Sequence, residues 1–153
     1  MDNNDILRRI RFSFDFNDDK MIRLFELGGY VVTRSDVSDW LKKEEDEAFD
    51  PLSDHMLAVF LNGLIVDRRG EKEGGLPEPE EWLNNNMVLR KLKIALDLKS
   101  DDILAMYQSI DKPISAHELS AFLRNPKQHQ YRPCNDQYLR HFLMGIQKKY
   151  KGT

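Results

Sequence analysis

The sequence predicts an all-α protein made by internal duplication of a four-helix unit, its two units packed with approximate two-fold symmetry. Three observations predict this. Shifted by 82 positions, residues 4–70 fall on residues 86–152 without a gap. Apolar residues recur in both copies at helical spacing, and matched apolar positions imply the same core built twice. Helix start and stop signals recur at matching places.

Particular residues carry the alignment. Asn4, Leu7 and Arg8 meet Asn86, Leu89 and Arg90; Asp15 and Asp19 meet Asp97 and Asp101; Ser38 and Leu41 meet Ser120 and Leu123. Pro51, Asp54 and Leu57 meet Pro133, Asp136 and Leu139, and Phe60, Leu61, Gly63 and Gly70 meet Phe142, Leu143, Gly145 and Gly152. The chain divides into a first helical repeat (1–70), an acidic Gly/Pro linker (71–84) and a basic second repeat (85–153).

The first helix is expected from about Asp5 to Asp15, its copy from Met87 to Asp97, with Asn4 and Asn86 as N-caps that accept a free backbone N–H. In the copy, Val88, Leu89, Leu92, Ala95 and Leu96 share one face. A strand reading competes, because Ile10, Phe12, Phe14 and Phe16 alternate, as do Leu92, Ile94, Leu96 and Leu98. No partner strand exists elsewhere, which favours helix.

The second helix starts near Asp18, or Ser100 in the copy, where acidic residues suit a helix N-terminus. Met21, Ile22, Leu24 and Phe25 form its apolar side, matched by Ile103, Leu104, Met106 and Tyr107. Gly28-Gly29 ends it in the first repeat. The third helix opens on a capping box, Ser115 to Glu118, with Thr33 to Asp36 a version with a shorter acid. The fourth follows an aromatic-x-Pro-x-x-Asp turn, with Ser53 or Asn135 as cap and Gly70 or Gly152 as stop. Gly and Pro break helix between the repeats, and Trp82 is expected to pack against one of them.

Charged residues make up 32% of the chain and hydrophobic residues 41%, the balance of a folded polar-surfaced protein. No run of about 18 apolar residues exists to span a membrane, so no membrane partner is expected. The start Met1-Asp2-Asn3-Asn4-Asp5 lacks the basic and apolar stretch of a secretory signal. Cys134 is the one cysteine, so no internal disulfide forms; a reducing cytoplasm is the expected location.

Charge is unevenly spread. Residues 1–83 carry 20 acidic and 11 basic side chains, residues 84–153 carry 6 acidic and 12 basic. Two readings follow: attraction between the halves, or a basic surface on the second repeat. Arg90, Lys93, Arg124, Lys127, Lys148 and Lys149 are the candidate phosphate contacts under the second reading. Val32–Leu41 has a helix-turn-helix look, but Asp36 and Asp39 on the would-be reading face oppose phosphate.

Gly63 and Gly145 lie inside the fourth helices, where glycine costs about 1 kcal/mol relative to alanine. Close helix approach, across the interface between repeats, is the expected reason; ligand contact is the alternative. His129, Cys134 and His141 fit no common zinc spacing. Cys134 precedes a helix, which favours a reactive thiol, but its counterpart Leu52 marks an apolar packing position. No Gly-rich phosphate loop or nucleophile elbow is present. No catalytic, cofactor-binding or metal-ligating residue is therefore assigned.

Asn-Asn-Asp-Ile-Leu-Arg at 3–8, Trp-Leu-Lys-Lys-Glu at 40–44, Phe-Leu-Asn-Gly-Leu-Ile at 60–65 and Asn-Asn-Asn-Met-Val-Leu at 84–89 resemble the YehS-like family of bacterial proteins, over essentially the whole chain. The resemblance implies a domain occurring twice and a cytoplasmic bacterial setting; it implies no activity or site. In the second repeat Met144 stands where the first has Asn62, so any role of Asn62 belongs to the first repeat only. The expectation is a non-enzymatic helical binding or adaptor protein with a protein partner and no cofactor. The alternatives are a nucleic-acid-binding protein and an enzyme with a cleft between the repeats.

Overall fold

Asp2 opens the first helix, α1 (Asn3–Phe14): its carboxylate accepts the Asp5 N–H at 2.7 Å while the Asp5 carboxylate accepts the Asp2 N–H at 3.2 Å. Six further helices, given below, and α5 (Asn85–Ala95) complete the computed structural model, which describes residues 1–153 and contains no strand. α5 opens on Asn84, which accepts the Met87 N–H at 2.9 Å. The caps are therefore Asp2 and Asn84, not the expected Asn4 and Asn86. Each polar run offers several capping side chains, and the earliest takes the role.

Asn4 and Asn86 fall inside their helices and are buried. Asn4 donates to the Trp40 and Asp50 carbonyls, both at 2.9 Å, and accepts the Leu52 N–H at 3.0 Å. Asn86 donates to the Phe122 and Arg132 carbonyls at 3.0 and 2.8 Å and accepts the Cys134 N–H at 2.9 Å. One amide per repeat thus ties the first helix to the third helix and to the turn before the fourth. Such fully satisfied buried amides specify a single arrangement of the elements around them.

The strand reading of residues 10–16 is overturned. Ile10 is buried, but Phe12, two residues on, is half exposed with the Lys151 ammonium 4.2 Å from its ring centre. Asp15 ends α1 in the left-handed conformation at φ 52°, and Asp97 repeats this beyond α5 at φ 52°. Aspartate tolerates that region better than most residues.

The other helices are α2 (Asp18–Leu27), α3 (Arg34–Leu41), α4 (Asp54–Arg69), α6 (Ser100–Ser109), α7 (Ala116–Leu123) and α8 (Asp136–Lys151). Both expected capping boxes form, Thr33 with Asp36 and Ser115 with Glu118. Ser53 and Asn135 cap α4 and α8, and Gly70 and Gly152 end them with positive φ.

The repeats interlock. α2 packs on α4 and α6 on α8 within each repeat, but α1 packs chiefly on α8 and α5 on α4. The first helix of each repeat thus covers the fourth helix of the other. Polar contacts repeat the exchange: Arg69 pairs with Asp97 at 2.9 Å and Lys151 with Asp15 at 2.6 Å. The Leu83 N–H donates to the Asp54 carboxylate at 2.9 Å, and the Met1 ammonium donates to Asp136 at 3.1 Å. The shift of 82 carries each contact onto its mate, as a two-fold axis requires. One apolar cluster of 31 buried residues runs through both repeats.

Gly63 serves close approach, but within its repeat rather than between repeats. A Cβ there would lie 1.7 Å from the Leu24 carbonyl oxygen of α2, and one on Gly28 would lie 1.9 Å from that of Val59. The Gly145 crossing is looser, its nearest contact being the Met106 Cβ at 3.0 Å. Trp82 does not pack down as expected and is 63% exposed. Its neighbours Glu80 and Leu83 are the anchored residues, bound to His55 and Asp54, and the ring between them faces outward. No helix is long and apolar enough to cross a membrane.

Candidate ligand pocket between the repeats

Where α5 crosses α4, two short side-chain rows face one another. Asn62 lies one turn before Ile65 and Val66 on α4, and Met87, Lys91 and Ile94 lie on successive turns of α5. The core faces of both helices are spent elsewhere, on residues such as Leu61, Leu64, Leu89 and Leu92. The linker arches back over this cleft and roofs it with Leu76 and Pro77. The result is a cavity of about 340 Å³, within the usual size range of small-molecule sites.

Its floor is polar and largely dry. Asn62 is only 2% exposed, and the Lys91 side chain 12%. Lys91 Nζ donates to Asn62 Oδ1 at 2.7 Å and lies 3.0 Å from Glu80 Oε1. An ammonium carries donors only, so the amide oxygen must face it, which leaves Asn62 Nδ2 turned away. That nitrogen is buried without a hydrogen-bond partner. Glu80 Oε1 is also buried, near enough to Lys91 for an ion pair but not aligned for a hydrogen bond.

The roof is latched on its other side by His55. Nδ1 lies 3.2 Å from the Glu80 carbonyl and Nε2 lies 3.0 Å from the Tyr30 hydroxyl. The carbonyl can only accept, so Nδ1 donates to it, and Nε2 shares a hydrogen bond with the tyrosine hydroxyl. The two-fold operation carries this cleft onto one between α8 and α1, lined by Arg9, Met144, Gln147 and Lys148. There Met144 replaces Asn62 and Arg9 replaces Lys91. Duplication has thus produced two related clefts, and one of them carries the buried amide.

The six basic candidates fall at two places. Arg90 edges the pocket and donates to the Leu123 and Arg124 carbonyls at 2.6 and 3.2 Å, closing the end of α7. Arg8 does the same for Lys42 in the first repeat, at 2.7 Å. Lys93 is half-buried on the next turn of α5, Arg124 caps α7, and Lys127 is exposed in the turn beyond. Lys148 donates to the Ser109 carbonyl at the end of α6, and Lys149 lies 5.9 Å from the Tyr150 ring centre. Arg90 and Arg124 are brought together; no hydrogen bond joins them to Lys148 and Lys149.

Cys134 is buried, and burial pushes its thiol up to about 12, with Asp136 adding to the effect. It occupies a packing position, as its counterpart Leu52 indicates, and is not an activated nucleophile. His129, Cys134 and His141 are not assembled with other ligands into a metal-holding group. The sequence reading missed Glu80 and Lys91 because they lie far from Asn62 along the chain. Its one signal was that Asn62 has no copy in the second repeat.

The fold and the cleft define an internally duplicated, pseudo-symmetric helical protein with one specialised pocket at the joint between its repeats. Its sequence matches the family described as "protein of unknown function (DUF1456)" twice, over residues 3–70 and 85–152, and the chain belongs to that family. It is 42% identical over 144 residues to "uncharacterized protein YehS" of Escherichia coli (strain K12), covering 94% of this chain and 92% of that protein. No solved structure matches the chain significantly.

Proposed function

We propose that the protein is a non-enzymatic helical binding protein whose ligand site is the roofed cleft between α4 and α5. The observation that carries this reading is the cavity of about 340 Å³ that α4, α5 and the linker enclose, with Asn62, Lys91 and Glu80 grouped on one side of it. A concave, partly apolar site of this size with a few grouped polar side chains is the usual make of a small-molecule site. An occupant would touch α4, α5 and the linker together, and so alter the surface offered to a protein partner, which is the adaptor role. A reducing cytoplasm is the compartment this reading assumes, in keeping with the single buried thiol.

An enzyme in the same cleft is the weaker reading. Lys91 and Glu80 are paired with each other, and no nucleophile stands beside a base. The test is a ligand-observed NMR screen of small molecules against the wild type and Ile94→Trp. Ile94 sits at the pocket mouth and is substantially exposed, so tryptophan there fills the mouth without entering the core. Binders lost on that substitution support the reading. Binders indifferent to it, or none, contradict it.

One observation favours a second reading, nucleic-acid binding by the basic second repeat. Of the twelve basic side chains in residues 84–153, only Lys91 and Lys151 form ion pairs. Direct ion pairs between the halves thus take up few of these charges. Fluorescence anisotropy with single-stranded RNA and duplex DNA at two salt concentrations tests it. Binding that weakens steeply with salt and is lost in Lys93→Glu/Lys127→Glu favours this reading, and no binding at low salt rejects it. Arg90 is left intact in this test because its guanidinium closes α7.

A further inference from the structure

The charges that line the pocket do not balance. Lys72, Arg90 and Lys91 stand against Glu80 alone. Lys91 and Glu80 lie 3.0 Å apart and cancel one another, which leaves Arg90 and Lys72 in excess. The hydrogen bonds of Arg90 go to the Leu123 and Arg124 carbonyls, which are neutral, and they engage only Nη2. A guanidinium also carries donors on Nη1 and Nε, and these stay open. Lys72 is exposed on the linker and pairs with no carboxylate. The other linker acids, Glu71, Glu73, Glu78 and Glu81, are exposed and stand outside the lining, where water and salt screen them. Beside the cations the wall is apolar, built from Ile65, Val66, Leu76, Met87 and Ile94. A concave site with apolar walls and one excess sign of charge concentrates its field on the space it encloses.

We infer that the pocket takes a small amphiphilic anion, an apolar body ending in a carboxylate or a phosphate. The head neutralises the excess charge of Arg90 and Lys72, and the apolar wall covers the body. This rests on the reading of the cleft as a ligand site and adds the chemical class. Lys91 is not a contact of the head, because its ammonium is already held by Asn62 and Glu80. A cationic head would enter a lining already in positive excess. A neutral head would fill the same space and leave that excess uncompensated. A bare inorganic anion would leave the apolar wall against water, so the body contributes affinity that the charge alone does not.

The test uses probes with one body and different heads, titrated calorimetrically into the full chain at low salt: octanoate, octyl phosphate, octanamide and octylammonium. At least one of the two anions is expected to bind about tenfold or more tighter than octanamide and octylammonium, and the ratio of the two anions tells carboxylate from phosphate. Lys72→Glu reverses a charge that makes no contact in the fold, so it leaves the structure intact. It is expected to weaken the anions about threefold or more and to leave octanamide unchanged. Arg90→Gln is expected to weaken them further, but it also loosens the end of α7, so Lys72→Glu is the deciding variant. Equal affinities across the heads, octylammonium binding best, an anion preference untouched by Lys72→Glu, or anion binding that survives Ile94→Trp overturns the inference. If no octyl probe binds, the ligand screen decides. Anions lost on Ile94→Trp support the class, neutral or cationic molecules so lost overturn it while the pocket reading stands, and an empty screen overturns both.

Discussion

Asn62 of the first repeat accepts a hydrogen bond from Lys91 of the second at 2.7 Å, in the middle of the α4–α5 crossing. Asparagine is a poor choice for a buried helical position facing another helix, since an apolar residue there would pack without an orphaned donor. The second repeat has Met144 at the matching position, and there the side chain is exposed rather than buried. The departure from symmetry, a lysine held by a buried amide beside a linker glutamate, distinguishes this cleft from its symmetry mate.

The pair Asn4 and Asn86 governs stability. Replacing either with alanine leaves one carbonyl of the third helix, and one carbonyl and one N–H of the turn before the fourth, without their partner. Each loss is expected to cost about 3 kcal/mol, read as a lower urea midpoint at unchanged slope. The two variants should match closely, because the contacts match. A loss under about 0.5 kcal/mol, the level of an ordinary surface substitution, would show that the amides are not the ties they form geometrically.

Gly63 and Gly145 should respond differently to alanine. At Gly63 the new Cβ meets the Leu24 backbone oxygen at 1.7 Å, so α2 and α4 must separate. That is expected to destabilise by about 3 kcal/mol or more, outweighing the gain in helix propensity. At Gly145 the nearest atom is the Met106 Cβ at 3.0 Å, and the change is expected to stay within about 1 kcal/mol of neutral. Equal effects in thermal melts would contradict the assigned crossings.

Interlocking makes a prediction about cleavage. A protease site placed between Glu73 and Leu76, followed by cutting, should leave the halves associated as a one-to-one complex. α1 and α5 each cover the other half's fourth helix, and α1 and α5 carry buried residues such as Ile10 and Leu92 in the shared core. Size-exclusion chromatography at micromolar concentration reads the outcome. Dissociation into two folded halves would show that the repeats stand alone.

The Cys134 thiol should resist modification. With its pKa near 12 rather than 9.0, the folded protein holds about a thousandfold less thiolate than an ordinary thiol at pH 8. Reaction with a disulfide reagent at that pH is expected to be slow in the native state and rapid in denaturant. Rapid native reaction would mean that Cys134 is open to solvent.

Much of this architecture is legible in the sequence. A gapless duplication needs only a one-dimensional match, and capping boxes such as Ser115 with Glu118 are local chemistry. The true caps were missed because Asp2, Asn3 and Asn4 are all competent, and which one acts depends on where Asn4 finds its distant partners. The exchange of α1 and α5 is not legible, since periodicity shows which face of a helix is apolar but not which helix covers it. The pocket was half visible: Asn62 stands out as unduplicated, but Glu80 reads as one charge among several in a solvated linker until the chain is folded.

The most direct measurement of the central claim is the side-chain amide resonance of Asn62 in a proton–nitrogen correlation spectrum during titration with a small-molecule probe from the ligand screen. A saturable shift of that resonance, absent in Ile94→Trp, is the predicted result. An unmoved Asn62 resonance while the probe binds would place the ligand elsewhere and contradict the account.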